Sequence, residues 1–135
     1  VIFGYMILND VSARDIQAKD KQFTRAKSFD GFAPCGPWIT TKDEIEDPQN
    51  LKLLTKINGE VRQDSTTSNM FIKIPSIISI LSRSITLEPG DIISTGTAAG
   101  VALNNPNIPY LKDGDHIEME IEKLGTIKNK VRFVD

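Results

Sequence analysis

Four polar residues near the start of the chain have types and spacing that could do chemistry. Asp10, Arg14 and Gln17 stand at positions i, i+4 and i+7, and Lys27 follows in the next segment. If residues 12–17 form a helical turn, as Ser12 and its neighbours allow, the first three side chains share one face. A carboxylate suits a hard divalent cation such as Mg²⁺, and the donors beside it suit the oxygens of an acidic substrate. The alternative is an exposed helix face with an ion pair worth about 0.2–0.5 kcal/mol.

A second candidate is the small-residue segment TGTAAG at residues 95–100. It lacks the lysine of a P-loop and the GxGxxG spacing of a dinucleotide-binding turn, so both of these phosphate sites are excluded. A strand end followed by such a turn leaves backbone N–H groups and the Thr97 hydroxyl free to bind a carboxylate. A purely structural turn is an equal alternative.

Other acidic and metal-ligating residues are better explained by structure. Glu118, Glu120 and Glu122 alternate with apolar residues, which is typical of the solvent face of an antiparallel hairpin. His116 has no second His and no neighbouring Cys to complete a metal site or a catalytic triad. We therefore assign none of these residues to a site.

Composition limits the function classes. The chain has 135 residues with 39% hydrophobic and 25% charged residues, which suits one ordinary globular domain over residues 1–135. The net charge of −2 gives no field for binding nucleic acid or an anionic membrane. The single cysteine, Cys35, predicts a buried structural thiol in a reducing, cytoplasmic protein. The apolar strand pattern that begins at Val1 without a Met indicates part of a longer polypeptide.

Hydrophobic periodicity predicts a mainly β fold with short helices, of the α+β class. The Asn58-Gly59 pair predicts a tight hairpin turn, and Pro75 predicts the start of an amphipathic helix that packs on the core. The predicted strands are residues 1–8, 38–41, 51–57, 60–63 and 92–94, and the chain ends in a predicted hairpin at residues 114–134.

Four motifs occur together in one order: GYMILNDVSARDIQ, KSFDGFAPCGPWI, LKLLTKINGEVRQDSTTSNMF and LSRSITLEPGDIISTGTAAGVA. In this order they resemble the fumarylacetoacetate hydrolase family, and the resemblance covers almost all of the chain. It implies a mixed β-sandwich or β-roll catalytic domain that is usually a homodimer. It also implies binding of Mg²⁺, Mn²⁺ or Ca²⁺ and activity on 2-oxo acids or 1,3-diketo acids.

The resemblance assigns roles to individual residues. Asp10 matches the family's metal-ligand aspartate, and Arg14 and Gln17 match its substrate-side pair. Lys27 matches the active-site lysine, so the implied catalytic residues are Lys27, Arg14 and Gln17. Thr97, with Gly96 before it, matches the threonine that holds the substrate carboxylate.

One family feature is not found in this sequence. Family members take two further metal ligands from a Glu-x-Glu motif upstream of the strand that opens this chain, so the chain holds one carboxylate ligand by itself. The expected function of the full-length protein is a divalent-metal-dependent enzyme that acts through a metal-stabilised enolate. Hydrolysis of acylpyruvates, decarboxylation, isomerisation and hydration all fit that chemistry. The alternative is a non-catalytic fragment, or a dimerisation subunit that binds small acids.

Overall fold

The computed structural model describes residues 1–103 and 105–134, whose strands form two antiparallel sheets. The first sheet pairs β1 (Gly4–Leu8) with β2 (Cys35–Thr41). The second has the order β4-β3-β5-β6, with β3 (Lys52–Ile57), β4 (Glu60–Thr66), β5 (His116–Ile121) and β6 (Gly125–Lys130). Two short α-helices, α1 (Arg14–Asp20) and α2 (Ile74–Leu81), and three 3₁₀ turns, Arg25–Lys27, Lys42–Glu44 and Thr67–Asn69, complete the described elements. The predicted α+β class with mainly β structure is confirmed.

The two sheets pack on each other through a shared apolar core. Strand β2 contacts β6, and β1 contacts both β5 and β6. The buried side chains between them are Ile7, Ile45, Leu51, Leu124 and Ile127. Ile7 is only 1% exposed, which places the end of β1 firmly in the core. The residues that follow β1 are therefore held by a strand that Ile7 anchors in the core.

Both predicted hairpins are present. Asn58 and Gly59 have φ angles of 52° and 84°, as a tight turn between β3 and β4 requires. In the terminal hairpin, Glu118 is the register partner of Lys128, and their side chains form an ion pair of 2.9 Å. The hydrogen bond from Lys128 and its charge lower the pKa of Glu118. The glutamates of β5 thus lie on the outer face of the hairpin, as the alternation predicted.

A β-bulge interrupts the pairing of β3 with β4. Thr55 pairs with Gln63 and the next residue, Lys56, pairs with Val61, so Arg62 has no partner on β3. Bulges bend a strand, and they are common beside functional sites. This one lies where the 95–100 segment approaches β4.

Helix α2 includes Pro75 in its first turn, as predicted, but the predicted packing of this helix on the core is wrong. None of its residues is buried, and Ile80 is 52% exposed. Its apolar side chains have the spacing of a buried face, but among the described residues no buried cluster covers them. The periodicity of the sequence shows which face of the helix is apolar, but it does not show what packs against that face.

Two further predictions are wrong. Residues 92–94 form no strand, because they have no β-ladder partner and Ile92 is 59% exposed. Cys35 is exposed rather than buried, because the inward-facing positions of β2 are taken by Gly36 and Thr40. No helix among residues 1–103 and 105–134 has the length and apolar character needed to cross a membrane.

Candidate functional site

Asp10 lies on the tight turn that joins β1 to α1. The backbone N–H of Asn9 donates to the Pro34 carbonyl at 2.9 Å, and the N–H of Val11 donates back to Asn9 at 2.8 Å. The Ser12 hydroxyl donates to the Asp10 carbonyl at 3.2 Å. Such local hydrogen bonds compete with helix formation, and α1 begins only at Arg14. The prediction that Asp10 shares a helical face with Arg14 and Gln17 is therefore wrong.

The side-chain partner of Asp10 is Lys27. Lys27 Nζ donates to Asp10 Oδ2 and forms an ion pair with it. The two residues meet because the N–H of Ala13 donates to the carbonyl of buried Ala26 at 2.9 Å, beside the 3₁₀ turn that carries Lys27. The Asp10 and Lys27 side chains are 42% and 31% exposed, so the pair is open to a ligand.

Arg14 and Gln17 form a second pair in the first turn of α1. Arg14 Nη1 donates to Gln17 Oε1 at 2.5 Å, at the i, i+3 spacing of neighbours on a helix surface. Within the described ranges, the guanidinium makes no other hydrogen bond or ion pair, so its remaining donors stay available. Helix α1 packs against the turn that carries Lys27. We call Asp10, Arg14, Gln17 and Lys27 the charged cluster.

Thr97 belongs to a different group, which is held by Gln63 of β4. Gln63 Nε2 donates to Thr97 Oγ1 and to the Ala98 carbonyl, both at 2.9 Å. Gly96 precedes Thr97 with a φ angle of 106°, in the region that favours glycine. We call Gly96, Thr97 and Gln63 the threonine group. In the described part of the chain, no hydrogen bond or ion pair joins it to the charged cluster.

Sequence reasoning did not identify Gln63, although a signal was present. The predicted Asn58-Gly59 hairpin brings Gln63 towards the strand that carries Thr55. A glutamine at an inward position of such a hairpin needs hydrogen-bond partners, because burying an unpaired amide is costly. The sequence could therefore have marked Gln63 as bonded, but it could not have named Thr97 as the partner.

The charged cluster can supply one metal ligand but not a complete metal site. Asp10 is its one carboxylate, and no group of three or more His, Cys, Asp or Glu side chains could surround an ion within residues 1–103 and 105–134. Beside Asp10, the buried Nδ2 of Asn9 has no hydrogen-bond partner among these residues. It is a donor, so it suits an oxygen of a ligand or of another segment rather than a cation.

A cavity of about 310 Å³ lies elsewhere, on the sheet formed by β3, β5 and β6. Its lining includes Lys56, His116, Glu118 and Lys128, and none of the predicted site residues lines it. The charges of Glu118 and Lys128 compensate each other there. Because the one carboxylate that lines this cavity is paired with Lys128, we place the candidate site at the charged cluster.

Known proteins resemble this chain in both sequence and structure. A fumarylacetoacetate hydrolase from psychrophilic Exiguobacterium antarcticum superposes with a TM-score of 0.93 at 46% identity, over 98% of this chain and 47% of that chain. Oxaloacetate tautomerase YisK of Bacillus subtilis (strain 168) is 44% identical over 130 residues, which are 96% of this chain and 43% of that protein.

A third relative has been solved with small molecules bound. This is maleylpyruvate hydrolase from Sphingobium sp. SYK-6 in complex with manganese(II) ion and pyruvate. It superposes with a TM-score of 0.83 at 36% identity, over 98% of this chain and 45% of that chain. The chain thus spans about half the length of the relatives it matches.

The family comparison covers nearly the whole sequence. Residues 1–132 match the family described as fumarylacetoacetate (FAA) hydrolase, C-terminal. The structural matches above cover the same two sheets and the loops between them. The chain therefore belongs to the fumarylacetoacetate hydrolase C-terminal family.

Proposed function

We propose that the whole protein of which this chain is part is a divalent-metal-dependent enzyme acting on small 2-oxo acids. The observation that carries the proposal is the charged cluster at the end of β1, where the accessible Asp10–Lys27 pair lies beside Arg14 and Gln17. Helix α1 contacts the turn that carries Lys27, so the cluster combines a carboxylate, two cations and an amide. Relatives named for oxaloacetate and maleylpyruvate support a substrate of the same class.

The residues of the chain take distinct roles in this proposal. Arg14 and Lys27 neutralise substrate oxygens, because charge-assisted hydrogen bonds to anionic oxygens are the strong ones. Gln17 orients the substrate through its amide. Thr97, with Gly96, holds the substrate carboxylate.

Asp10 is proposed as one ligand of a divalent cation, with the remaining ligands supplied by parts of the whole protein outside residues 1–135. A cation bound there supplies Lewis-acid polarisation of substrate oxygens. The relative solved with manganese(II) supports a divalent ion, and Mg²⁺, Mn²⁺ and Ca²⁺ all accept carboxylate oxygens. The proposed assembly is a homodimer.

We favour keto–enol tautomerisation of oxaloacetate as the reaction, because the tautomerase relative shares 44% identity with the chain. Hydrolysis of a C–C bond is the competing reaction within the same class, since the maleylpyruvate hydrolase relative shares 36% identity. Both reactions use an acid whose carboxylate and 2-oxo oxygens need cationic partners.

The test is a panel of 2-oxo acids, including oxaloacetate and an acylpyruvate, assayed with the complete native polypeptide in the presence and absence of EDTA. We expect turnover that EDTA abolishes. The substitution Asp10→Ala should also abolish it, whereas Asp15→Ala, an exposed aspartate on α1, should leave it unchanged. Full activity in EDTA, or in Asp10→Ala, would contradict the proposal.

A second candidate function is a binding subunit that holds small acids without turning them over. The observation that favours it is the single carboxylate that the charged cluster offers to a cation. The same panel separates the two functions, because a binding subunit would bind pyruvate in a titration and turn over none of the acids.

A further inference from the structure

Gln63 is a buried amide at the bulge of β4. It is 7% exposed, and so is Thr55, its register partner on β3. The Thr55 hydroxyl donates to Gln63 Oε1 at 2.8 Å. Directly opposed residues of antiparallel strands project to the same face, so the strand pairing itself brings these two groups together.

The partners of Gln63 determine how its amide is oriented. The Ala98 carbonyl is an acceptor only, so the atom 2.9 Å away from it must be Nε2. The oxygen, Oε1, then faces the Thr55 hydroxyl, which donates to it. Both N–H groups of Gln63 are in use, one to Ala98 and one to Thr97 Oγ1. Thr97 is therefore the acceptor in its bond with Gln63.

This arrangement leaves the proton of the Thr97 hydroxyl for another partner. Gln63 Nε2 has no acceptor capacity to offer it. The Ala98 carbonyl is 3.5 Å from Thr97 Oγ1, which is too long for a good hydrogen bond. Because Thr97 is exposed, its hydroxyl can donate to a ligand oxygen.

The backbone holds the same segment against β4. Gly100 has a φ angle of 110°, and a Cβ atom built on it would lie 2.0 Å from the carbonyl oxygen of Arg62. Arg62 is the bulged residue of β4, next to Gln63. Two independent contacts, one from a side chain and one from the backbone, thus place the 97–100 segment on the bulge.

We propose that Gln63 is a positioning residue that sets the Thr97 hydroxyl as a hydrogen-bond donor to the carboxylate of a 2-oxo acid. Gln63 acts through Thr97 and does not touch the substrate. The inference rests on the role proposed above for Thr97. It adds the reason why that hydroxyl donates instead of accepting.

The test uses pyruvate as the probe, titrated into the complete polypeptide while NMR follows the backbone amide resonance of residue 97, which every variant retains. We expect pyruvate to shift this resonance. The substitutions Gln63→Met and Thr97→Val should each raise the dissociation constant by roughly tenfold, the typical effect of losing one hydrogen bond to a charged group. Their double mutant should bind no more than about threefold worse than either single mutant, because both substitutions remove the same donor.

Gln49→Met is the matched control. Gln49 Oε1 accepts the Ile74 N–H at 3.0 Å at the start of α2, so this substitution removes a structural hydrogen bond of another glutamine. It should leave the dissociation constant for pyruvate unchanged. A Gln49→Met effect as large as that of Gln63→Met would overturn the inference, since general loosening would then explain both.

Gln63→Glu provides a second variant if Gln63→Met does not fold. The ionised carboxylate has no donor, so it repels the Ala98 carbonyl and instead accepts a hydrogen bond from the Thr97 hydroxyl, whose proton is then no longer free for a ligand. Protonation restores one O–H donor, so pyruvate affinity relative to the unsubstituted protein should recover as the pH falls through the pKa of the introduced carboxyl. If the ratio of the dissociation constants of Gln63→Glu and of the unsubstituted protein did not change with pH, the inference would be overturned.

Turnover of the acid panel separates this inference from the proposed function. If no acid is turned over but pyruvate shifts Thr97 with the dependence on Gln63 described above, the proposed enzyme activity fails and the positioning role stands. If the acids are turned over and pyruvate leaves Thr97 unshifted, or if the two single effects multiply to about a hundredfold, the positioning role is wrong.

Discussion

The charged cluster and the threonine group use opposite means to hold polar side chains. Asp10 and Lys27 are 42% and 31% exposed and contact each other from two turns. Gln63 is 7% exposed and holds Thr97 from within a paired strand. The charged cluster can exchange its internal partners for a ligand at little cost, whereas the threonine group is set before a ligand arrives.

The two groups also differ in how much stability a substitution in them should cost. Exposed ion pairs contribute only about 0–1 kcal/mol to stability, because water screens them. Removing one partner of a buried hydrogen bond costs about 1–3 kcal/mol, because the other partner stays unsatisfied. Substitutions in the charged cluster should therefore change function without unfolding, and substitutions around the threonine group should change both.

Lys27→Met should have the largest effect and tests whether the charged cluster serves function rather than stability. Loss of the ammonium should lower kcat/KM for the best 2-oxo acid by roughly a hundredfold, as is usual when a charge-stabilising donor is removed. Thermal unfolding should change little, since the Asp10 partner is exposed. The control is Lys19→Met, in the last turn of α1. A large drop in melting temperature with Lys27→Met would show that the cluster is structural.

Gly100→Ala should have the next largest effect and tests how tightly the threonine group is held. The added Cβ meets the Arg62 carbonyl, and the φ angle of 110° is unfavourable for alanine. In denaturant titrations, we expect the steric contact to lower the free energy of unfolding by about 1–3 kcal/mol beyond the cost of the backbone strain.

Gly31→Ala is the matched control, because Gly31 has a φ angle of 78° and no atom within 4 Å of the added Cβ. It should cost only the backbone strain of about 1–2 kcal/mol. If both variants lost the same free energy of unfolding, the close approach of Gly100 to β4 would not contribute to stability.

Glu118→Gln should have the smallest effect and shows what an exposed pair contributes away from the site. The pKa of Glu118 is lowered in the folded state by the hydrogen bond from Lys128 and by its charge. A lowered folded-state pKa adds stability above the unfolded-state pKa, and that stability disappears as the pH falls through the folded-state pKa. The stability difference between the original chain and Glu118→Gln should therefore be present at neutral pH and vanish in acid.

Glu120→Gln, on the same face of β5 but outside the ion pair with Lys128, is its control and should leave the free energy of unfolding unchanged. If Glu118→Gln gave a large loss of stability at neutral pH that vanished in acid, exposed ion pairs in this chain would contribute more than about 1 kcal/mol. The Asp10–Lys27 pair would then also hold the turn between β1 and α1.

Local patterns in the sequence encode the hairpins and the α+β class. Asn58-Gly59 encodes a turn through its own backbone preferences, and the alternation in β5 encodes a buried face. The ordered motifs pointed to the family, which the comparison over residues 1–132 confirmed. These features depend on residues close together in the chain or on an order read directly from it.

Tertiary structure alone decided which side chains meet. The partner of Asp10 is Lys27, 17 positions away, and the partner of Thr97 is Gln63, 34 positions away. Sheet packing likewise left Cys35 and α2 exposed and residues 92–94 without a ladder partner. A period in the sequence fixes the direction of a side chain relative to its own element, whereas its contacts depend on what the rest of the fold places opposite it.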